Sequence, residues 1–178
     1  MVATLDPPIA APSDPRFTTA IVPTDEAFGS RKYLPGDFKD ADNLYTLFKQ
    51  IIRKHQERFA YLDAFQVDIF WKKKGLKKDG SGICGKCGPI SGKQTAYTDG
   101  HFRIDIAADA CRVGELTRYQ MEALMFHELC HTGVTEALKP KMQRHEVEMF
   151  FAELEAYGPW MPNLQEAASV FRQAGLGL

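Results

Sequence analysis

Two kinds of hydrophobic periodicity follow one another along the middle of the chain. Between residues 40 and 62, apolar side chains recur three or four positions apart, which predicts an amphipathic helix. Residues 64–71 and 102–106 instead alternate apolar and polar positions, as half-buried strands do, and a shorter strand is expected over residues 95–98. With a further helical pattern after them, these segments predict an α+β fold, in which a small antiparallel sheet packs on helices.

The second long helix is predicted over residues 117–132, and the sequence marks both of its ends. Thr117 and Gln120 have the spacing of a capping box, in which each side chain satisfies a backbone N–H of the other. Gly133 supplies a stop, because glycine readily adopts the left-handed conformation that ends many helices. Most positions between these ends are apolar, so the helix should be largely buried.

Two histidines four residues apart, with a glutamate after the first, lie near the end of this helix. The spacing places the imidazoles of His127 and His131 one turn apart on one face, where both can bind the same ion. Glu128 lies beside them and can accept a proton from a water that zinc activates. Three ionisable groups in a buried helix are costly unless something pairs them, and zinc would do so. The alternative is a satisfied structural cluster.

A catalytic zinc usually has three protein ligands, so the motif needs a third donor. His145 begins another helical pattern fourteen residues after the motif and is the preferred candidate. Glu148 lies one turn further along that pattern and could ligate instead, or orient a ligand imidazole. His55 lies in a charged stretch where a solvated position is expected, and His101 precedes a strand, so neither is favoured as a ligand.

Two blocks of the chain resemble the phage metallopeptidase family. Residues 123–131 read ALMFHELCH and residues 144–150 read RHEVEMF, where that family has approximately ALLDHELCH and HD-x-E-x-F. Phe126 and Glu146 are departures, since each replaces an aspartate that is common in the family. More distantly, the chain is similar to SprT-like and Spartan proteases, in which a downstream histidine completes the site.

This resemblance implies a zinc metalloendopeptidase with a minimal zincin-like core. Carried over residue by residue, it makes His127, His131 and His145 the zinc ligands and Glu128 the general base. In such enzymes an edge strand above the zinc binds an extended substrate through its main chain, which here indicates residues 101–107. The implied reaction is hydrolysis of a protein or peptide by an activated water.

Length and composition indicate one globular domain. The chain has 178 residues, 44% of them hydrophobic, and a formal net charge of −1, which suits a substantial core. Six prolines among small and polar residues predict an extended arm over residues 1–36, followed by the domain at 37–178. There is no run of eighteen apolar residues and no signal-peptide pattern. We therefore expect no membrane contact and a cytoplasmic location, which for a phage protein is the host cytoplasm.

A basic segment lies between the two longer predicted strands. Residues 72–93 contain seven lysines and one acid, so the segment carries about +6 and the rest of the chain about −7. The loop from Lys72 to Lys78 could contact a DNA backbone while Trp71 stacks on a base. A solvated hairpin is the more common explanation of such a segment.

Cys84 and Cys87 form a Cys-x-x-Cys pair within the basic segment. A zinc knuckle would need a second pair, but Cys111 and Cys130 are isolated, and no helix follows Cys84 to activate a redox dithiol. A structural metal, a disulfide or redox role, and free thiols all stay open. The pair also raises peptide deformylases as a rival family, since these combine the same helical motif with an upstream cysteine ligand, although their other motifs are absent here.

The sequence as a whole predicts a zinc-dependent metalloendopeptidase of proteins or peptides. A noncatalytic zinc scaffold that binds DNA or a host protein is the main competing hypothesis, and deformylase-like amide hydrolysis is the third. Glu128 favours the peptidase over the noncatalytic scaffold, because a purely structural zinc site does not need a general base. Tyr157 is a candidate oxyanion donor, for which core packing is the preferred role.

Overall fold

The computed structural model describes residues 14–63, 65–78, 80–137, 139–144 and 151–160. Within these ranges the α-helices are α1 (Asp25–Phe28), α2 (Leu44–Lys54), α3 (Gln56–Phe59), α4 (Ala108–Val113), α5 (Arg118–Cys130) and α6 (Phe151–Tyr157). The strands are β1 (Tyr33–Pro35), β2 (Val67–Lys72), β3 (Gly85–Pro89), β4 (Phe102–Ala107), β5 (Thr132–Val134) and β6 (Pro140–Met142). Short 3-10 helices cover Pro15–Phe17, Ala60–Asp63 and Gly92–Ala96. The predicted α+β class is confirmed.

Four of the strands form one mixed sheet in the order β1-β2-β4-β3. β2 and β4 are parallel, with Ile69 opposite Ile104, whereas β1 and β3 run antiparallel to their neighbours. The prediction of an antiparallel sheet is therefore wrong for its central pair. The reason is the long connection over residues 73–101, which first forms β3 at the edge of the sheet and then returns, so that β4 enters between β2 and β3. The remaining strands, β5 and β6, form a separate hairpin.

The helices cover one face of the sheet. Alternate positions of β2 and β4 are buried, as the two-residue period of a strand requires, and they pack in the same core as α2 and α5. Trp71 is fully buried there, and each large apolar side chain in such a core contributes about 2 kcal/mol. On the opposite face, the Arg103 guanidinium lies over the rings of Tyr33 and Phe70 and pairs with Asp105 at 2.7 Å.

The predicted helix over residues 40–62 is interrupted. α2 begins after Asn43, whose side chain accepts a hydrogen bond from the Thr46 N–H at 2.9 Å. It ends at His55, whose backbone leaves the helical region while its ring packs on Phe126. The chain then continues through α3 and a 3-10 turn.

The helix that carries the histidine motif is confirmed. α5 has the predicted capping box in full, with Thr117 and Gln120 each bonded to the backbone N–H of the other. It ends at Cys130, and Gly133 lies in β5 instead of forming the stop. The capping box fixes the start of α5, whereas the hairpin after Cys130 determines where the helix ends.

The structure differs locally from the predicted strands where glycine, proline and other turn-forming residues are frequent. The strand expected over residues 95–98 is absent, and the 3-10 helix Gly92–Ala96 lies there instead. β3 was not predicted, because its glycines, cysteine and proline favour strands poorly and only pairing with β4 makes them extended. The part of the predicted N-terminal arm that the structure describes contributes β1 to the sheet and buries Phe28 and Leu34. The domain boundary at residue 36 stays a prediction.

Within the described ranges, no helix has both the length and the apolar character needed to cross a membrane.

Candidate metal centre

His127 lies one turn before the end of α5, and a buried carboxylate from another helix holds its ring. Oε2 of Glu153, on α6, lies 2.6 Å from Nδ1 of His127. The other oxygen, Oε1, accepts a hydrogen bond from the indole N–H of Trp160 at 2.5 Å. Burial lowers the pKa of His127, but the hydrogen bond and charge of Glu153 outweigh it and hold that pKa above its ordinary value. Glu153 is 1% exposed, so this pair is shielded from water.

His131 is held by the hairpin that follows it. Its Nδ1 lies 3.0 Å from the backbone carbonyl oxygen of Gln143, and the Gln143 N–H donates to the carbonyl of His131 at 2.7 Å. The next residue, Thr132, accepts a hydrogen bond from the Tyr61 hydroxyl at its backbone oxygen. β5 and β6 pair directly after the motif, which explains how a residue twelve positions away reaches the imidazole.

These contacts select one tautomer for both histidines. A carboxylate and a carbonyl oxygen can only accept, so Nδ1 of each ring carries the proton and Nε2 carries the lone pair that binds metals. The rings of His127 and His131 are neighbours, with centroids 5.2 Å apart and planes at 83°. The donor set therefore fits a divalent metal such as zinc, which takes neutral imidazole nitrogens whose other nitrogen is hydrogen-bonded.

Glu128 lies at the boundary between α5 and the edge strand β3. Its side chain is 3% exposed, and Oε2 is buried without a hydrogen-bond partner among the described residues. Burial raises the pKa of Glu128 to about 7, against opposing effects of His127 and of the Cys87 backbone N–H. An orphaned, buried carboxylate oxygen on the residue that follows His127 is a second feature that fits a bound cation.

The strand beside Glu128 is β3, which corrects the expected substrate strand. Residues 101–107 are predicted to form the edge, but β4 lies between β2 and β3, and β3 is the edge strand on this side of the sheet. The Ala107 N–H donates to the Cys84 carbonyl, and the Ile90 N–H donates to the His101 carbonyl. In an antiparallel pair, every second residue from Cys84 onwards is therefore hydrogen-bonded to β4. The backbone groups of Gly85 and Cys87 accordingly point away from β4.

The two candidates for a third ligand, His145 and Glu148, lie outside the described residues. Within the ranges that are described, no group of three or more histidine, cysteine or acidic side chains forms a metal cluster. Two flanking residues that are described contact the motif histidines, namely Gln143 before the gap and Glu153 after it.

The Cys-x-x-Cys pair lies at β3 and close to Glu128. Cys84 and Cys87 are half-buried free thiols, and Cys111 and Cys130 are buried. Burial raises the pKa of Cys84 and of Cys87, and the negative charge of Glu128 acts in the same direction on both. Protonated thiols are weak nucleophiles and weak ligands, which disfavours a redox dithiol in this state.

The rings of two other histidines, His55 and His101, pack against aromatic side chains. The ring of His55 packs on Phe126 at 4.7 Å between centroids, so its expected solvated position is wrong. Its contact with the aromatic cluster outweighs the polar character of the neighbouring sequence. The ring of His101 packs on Phe65 at 5.0 Å.

The hydroxyl of Tyr157 donates to Oε1 of Glu122 at 2.9 Å, and its ring contacts Phe126 and Tyr119. Its side chain is buried, as the preferred packing role requires.

The basic loop is anchored through Lys73, whose Nζ donates to the Gly29 carbonyl at 2.8 Å, and through Asp109. The Asp109 carboxylate accepts hydrogen bonds from the backbone N–H groups of Gly75 and Leu76 at 2.7 and 3.2 Å. Lys74, Lys77 and Lys78 are exposed. Trp71 is in the core, so the prediction that it stacks on a base is wrong: the alternation of β2 turns it towards the helices.

Three residues of this centre were missed by sequence reasoning. Glu153 lies in the predicted downstream helix, where a glutamate between apolar positions could have indicated a buried acid. Gly85 contacts Glu128 and Gln143 contacts His131, but no sequence signal identifies either, because one acts through its missing side chain and the other through its backbone.

Comparison with known proteins identifies the family. Neither the curated proteins nor the solved structures include a significant match to this chain. A family model described as putative phage metallopeptidase matches residues 36–172, which is more than half of the chain. The family name implies a metal-dependent peptidase, which would act on proteins or peptides. On this match, the chain belongs to the phage metallopeptidase family.

Proposed function

We propose that this protein is a zinc-dependent endopeptidase in which His127, His131 and His145 bind the metal and Glu128 is the general base. The observation that carries the proposal is the fixed orientation of both motif imidazoles, each bonded at Nδ1 by an acceptor from a later part of the chain. Such contacts orient imidazoles and raise their basicity as ligands. A structural helix does not need them.

The ligand set is completed by His145 in this proposal. It lies two positions after Gln143 in the chain, which allows at most about 7 Å between their Cα atoms. Gln143 itself is hydrogen-bonded to His131, so a donor at position 145 is within reach of the two imidazoles. Glu148 is the alternative donor, and it lies three residues further along the chain.

Glu128 performs the proton transfers. Zinc in this site would supply a Lewis acid that polarises the scissile carbonyl and lowers the pKa of the attacking water. The Glu128 carboxylate accepts a proton from that water as it attacks and then passes it to the leaving amine. Burial of Glu128 against β3 excludes bulk water from this carboxylate, so the proton stays within the site.

The substrate is an extended segment of a protein. β3 is an edge strand, and the backbone groups of Gly85 point away from the sheet beside Glu128. Main-chain pairing with an edge recognises an extended backbone whatever its side chains, which favours cleavage within flexible regions over cleavage at a terminus.

A binding module is the competing function. The exposed lysines of the basic loop favour contact with a nucleic acid. Trp71 is buried, so it is not available to stack on a base. Binding to DNA that weakens steeply with added salt, together with no proteolysis, would support this function. Deformylase-like chemistry would instead use Cys87, whose strand lies beside Glu128.

Unbiased profiling of new N-termini tests the proposal. Host proteins or casein are incubated with zinc-loaded protein and with its Glu128→Gln variant. The expected result is a set of internal cleavage sites that appears with the wild type and is absent with the variant. Removal of formyl groups from formyl-methionyl peptides, without internal cleavage, would move the assignment to deformylase-like chemistry.

A further inference from the structure

Gly85, the first residue of β3, faces the Glu128 side chain. A Cβ atom placed on Gly85 would lie less than 3.0 Å from three atoms of Glu128, namely Oε1, Cδ and Cγ. Real Cβ atoms essentially never come that close to another atom. The absence of a side chain at this position is therefore what allows the Glu128 carboxylate to lie against the strand.

A second contact comes from the same strand. The backbone N–H of Cys87 interacts with the Glu128 carboxylate, so β3 reaches this group at two positions. Oε2 has no hydrogen-bond partner among the described residues, so packing against Gly85 contributes to placing the carboxylate. Glu128 is 3% exposed, so its carboxylate is enclosed by neighbouring residues.

We infer that Gly85 is a positioning residue for the general base: it sets where the Glu128 carboxylate lies relative to the two motif imidazoles. The inference rests on the proposed function for its catalytic meaning, but the steric relationship stands without it. Gly85 has an ordinary φ, so the reason for glycine here is the space that Glu128 occupies and not backbone strain.

Alanine at position 85 should displace the Glu128 side chain by more than it displaces β3. β3 is bonded along its length to β4, whereas the carboxylate is the far end of a flexible side chain. The rearrangement that costs the least free energy is rotation of the Glu128 side chain away from β3 and from the Cys87 N–H. The three atoms nearest to the new methyl group all belong to Glu128.

Gly88 provides a matched control on the same strand. A Cβ there would meet no atom within 4 Å, and its φ is also ordinary. Gly88→Ala thus makes the same chemical change in β3 without contact with Glu128. Replacement of glycine by alanine in a strand should otherwise be neutral or slightly stabilising.

A double-mutant cycle on thermal stability tests the steric relationship without any activity assay. Tm is measured for the wild type, Gly85→Ala, Glu128→Ala and the double variant, with Gly88→Ala as the control. Gly85→Ala should lower Tm in the wild-type background and leave it unchanged or higher in the Glu128→Ala background. Equal Tm changes in both backgrounds would overturn the inference. If Gly85→Ala does not fold, we expect the double variant to fold with a Tm close to that of Glu128→Ala. Failure of the double variant to fold would also overturn the inference.

Kinetics tests the catalytic meaning separately. With labelled casein as the probe, Gly85→Ala should retain zinc and KM but lose about 100-fold or more in kcat, the scale of a misplaced general base. Gly88→Ala should keep kcat within about twofold of the wild type. A kcat for Gly85→Ala equal to that of Gly88→Ala would reject the positioning role. Absence of cleavage by the wild type would reject the proposed function, while the Tm cycle would still decide whether Gly85 places Glu128.

Discussion

Oε2 of Glu153 lies 2.6 Å from Nδ1 of His127, although the two residues are 26 positions apart in the chain. The contact joins α6 to the histidine motif and fixes the imidazole so that Nε2 carries the lone pair. Because Trp160 donates to the other oxygen of the same carboxylate, Glu153 accepts two N–H groups at once. The geometry of the candidate metal centre therefore depends on a residue outside the motif.

Glu153→Gln is expected to weaken zinc binding by about 10- to 100-fold. The amide has a single acceptor oxygen, so it can accept from either His127 or Trp160 but not from both. Zinc affinity is measured by competition with a chromogenic chelator. Glu155→Gln is the matched control, because Glu155 lies on the same helix but is exposed. Equal zinc affinity in the Glu153→Gln and Glu155→Gln variants would contradict the assigned role of Glu153.

The wild type is expected to bind one zinc per chain, and His145→Ala is expected to lose most of it. Loss of one of three ligands lowers affinity far more than loss of a hydrogen-bonding neighbour. Elemental analysis after desalting measures the zinc content of His145→Ala, Glu148→Ala and Cys87→Ala, with His101→Ala as the control that should stay fully loaded. Full zinc in His145→Ala, with loss in Glu148→Ala or Cys87→Ala, would transfer the third ligand to that residue.

His55 is expected to make stability depend on pH in the weakly acidic range. Burial, followed by the positive charge of Lys54, lowers the pKa of His55 below its ordinary value, while Glu122 acts in the opposite direction. The folded protein therefore binds fewer protons than the unfolded chain between the two pKa values. The contribution of His55 is complete above the unfolded pKa of about 6.5 and is lost as pH falls through the folded pKa.

The measurement is the Tm of metal-free wild type and of His55→Phe from pH 8 to pH 5. The other histidines are present in both proteins, so the difference between the two curves isolates His55. His55→Phe keeps an aromatic ring against Phe126 but cannot be protonated. Its Tm should fall less towards pH 5 than that of the wild type, and parallel curves would refute the prediction.

Local signals predicted α5 well. The capping box, the apolar positions and the spacing of His127, Glu128 and His131 depend on residues close in sequence, and the structure has the helix with its cap as expected. β2 and β4 were also predictable, because alternation of apolar side chains needs no knowledge of the partner strand. Which strand forms the edge was not predictable, since it depends on how the 73–101 connection crosses the sheet.

The surroundings of the motif depend on long-range contacts and were accordingly missed. Glu153 reaches His127 only because α6 packs on α5, and Gln143 reaches His131 only through the hairpin of β5 and β6. Gly85 acts by the space it leaves free, which has no counterpart in hydrophobic periodicity. Tertiary packing also explains the burial of Trp71 and the partly buried position of His55, although charged residues are close to both in sequence.

The most direct test of the central claim compares zinc-loaded wild type with zinc-loaded Glu128→Gln on labelled casein. Glutamine is nearly isosteric with glutamate but cannot accept the proton, so the variant should keep the fold and one zinc while hydrolysis falls by about 10²- to 10⁴-fold. Elemental analysis and Tm of the same samples establish that only the carboxylate has changed. Equal cleavage by the two zinc-loaded proteins would contradict the account, because Glu128 could then not be the general base.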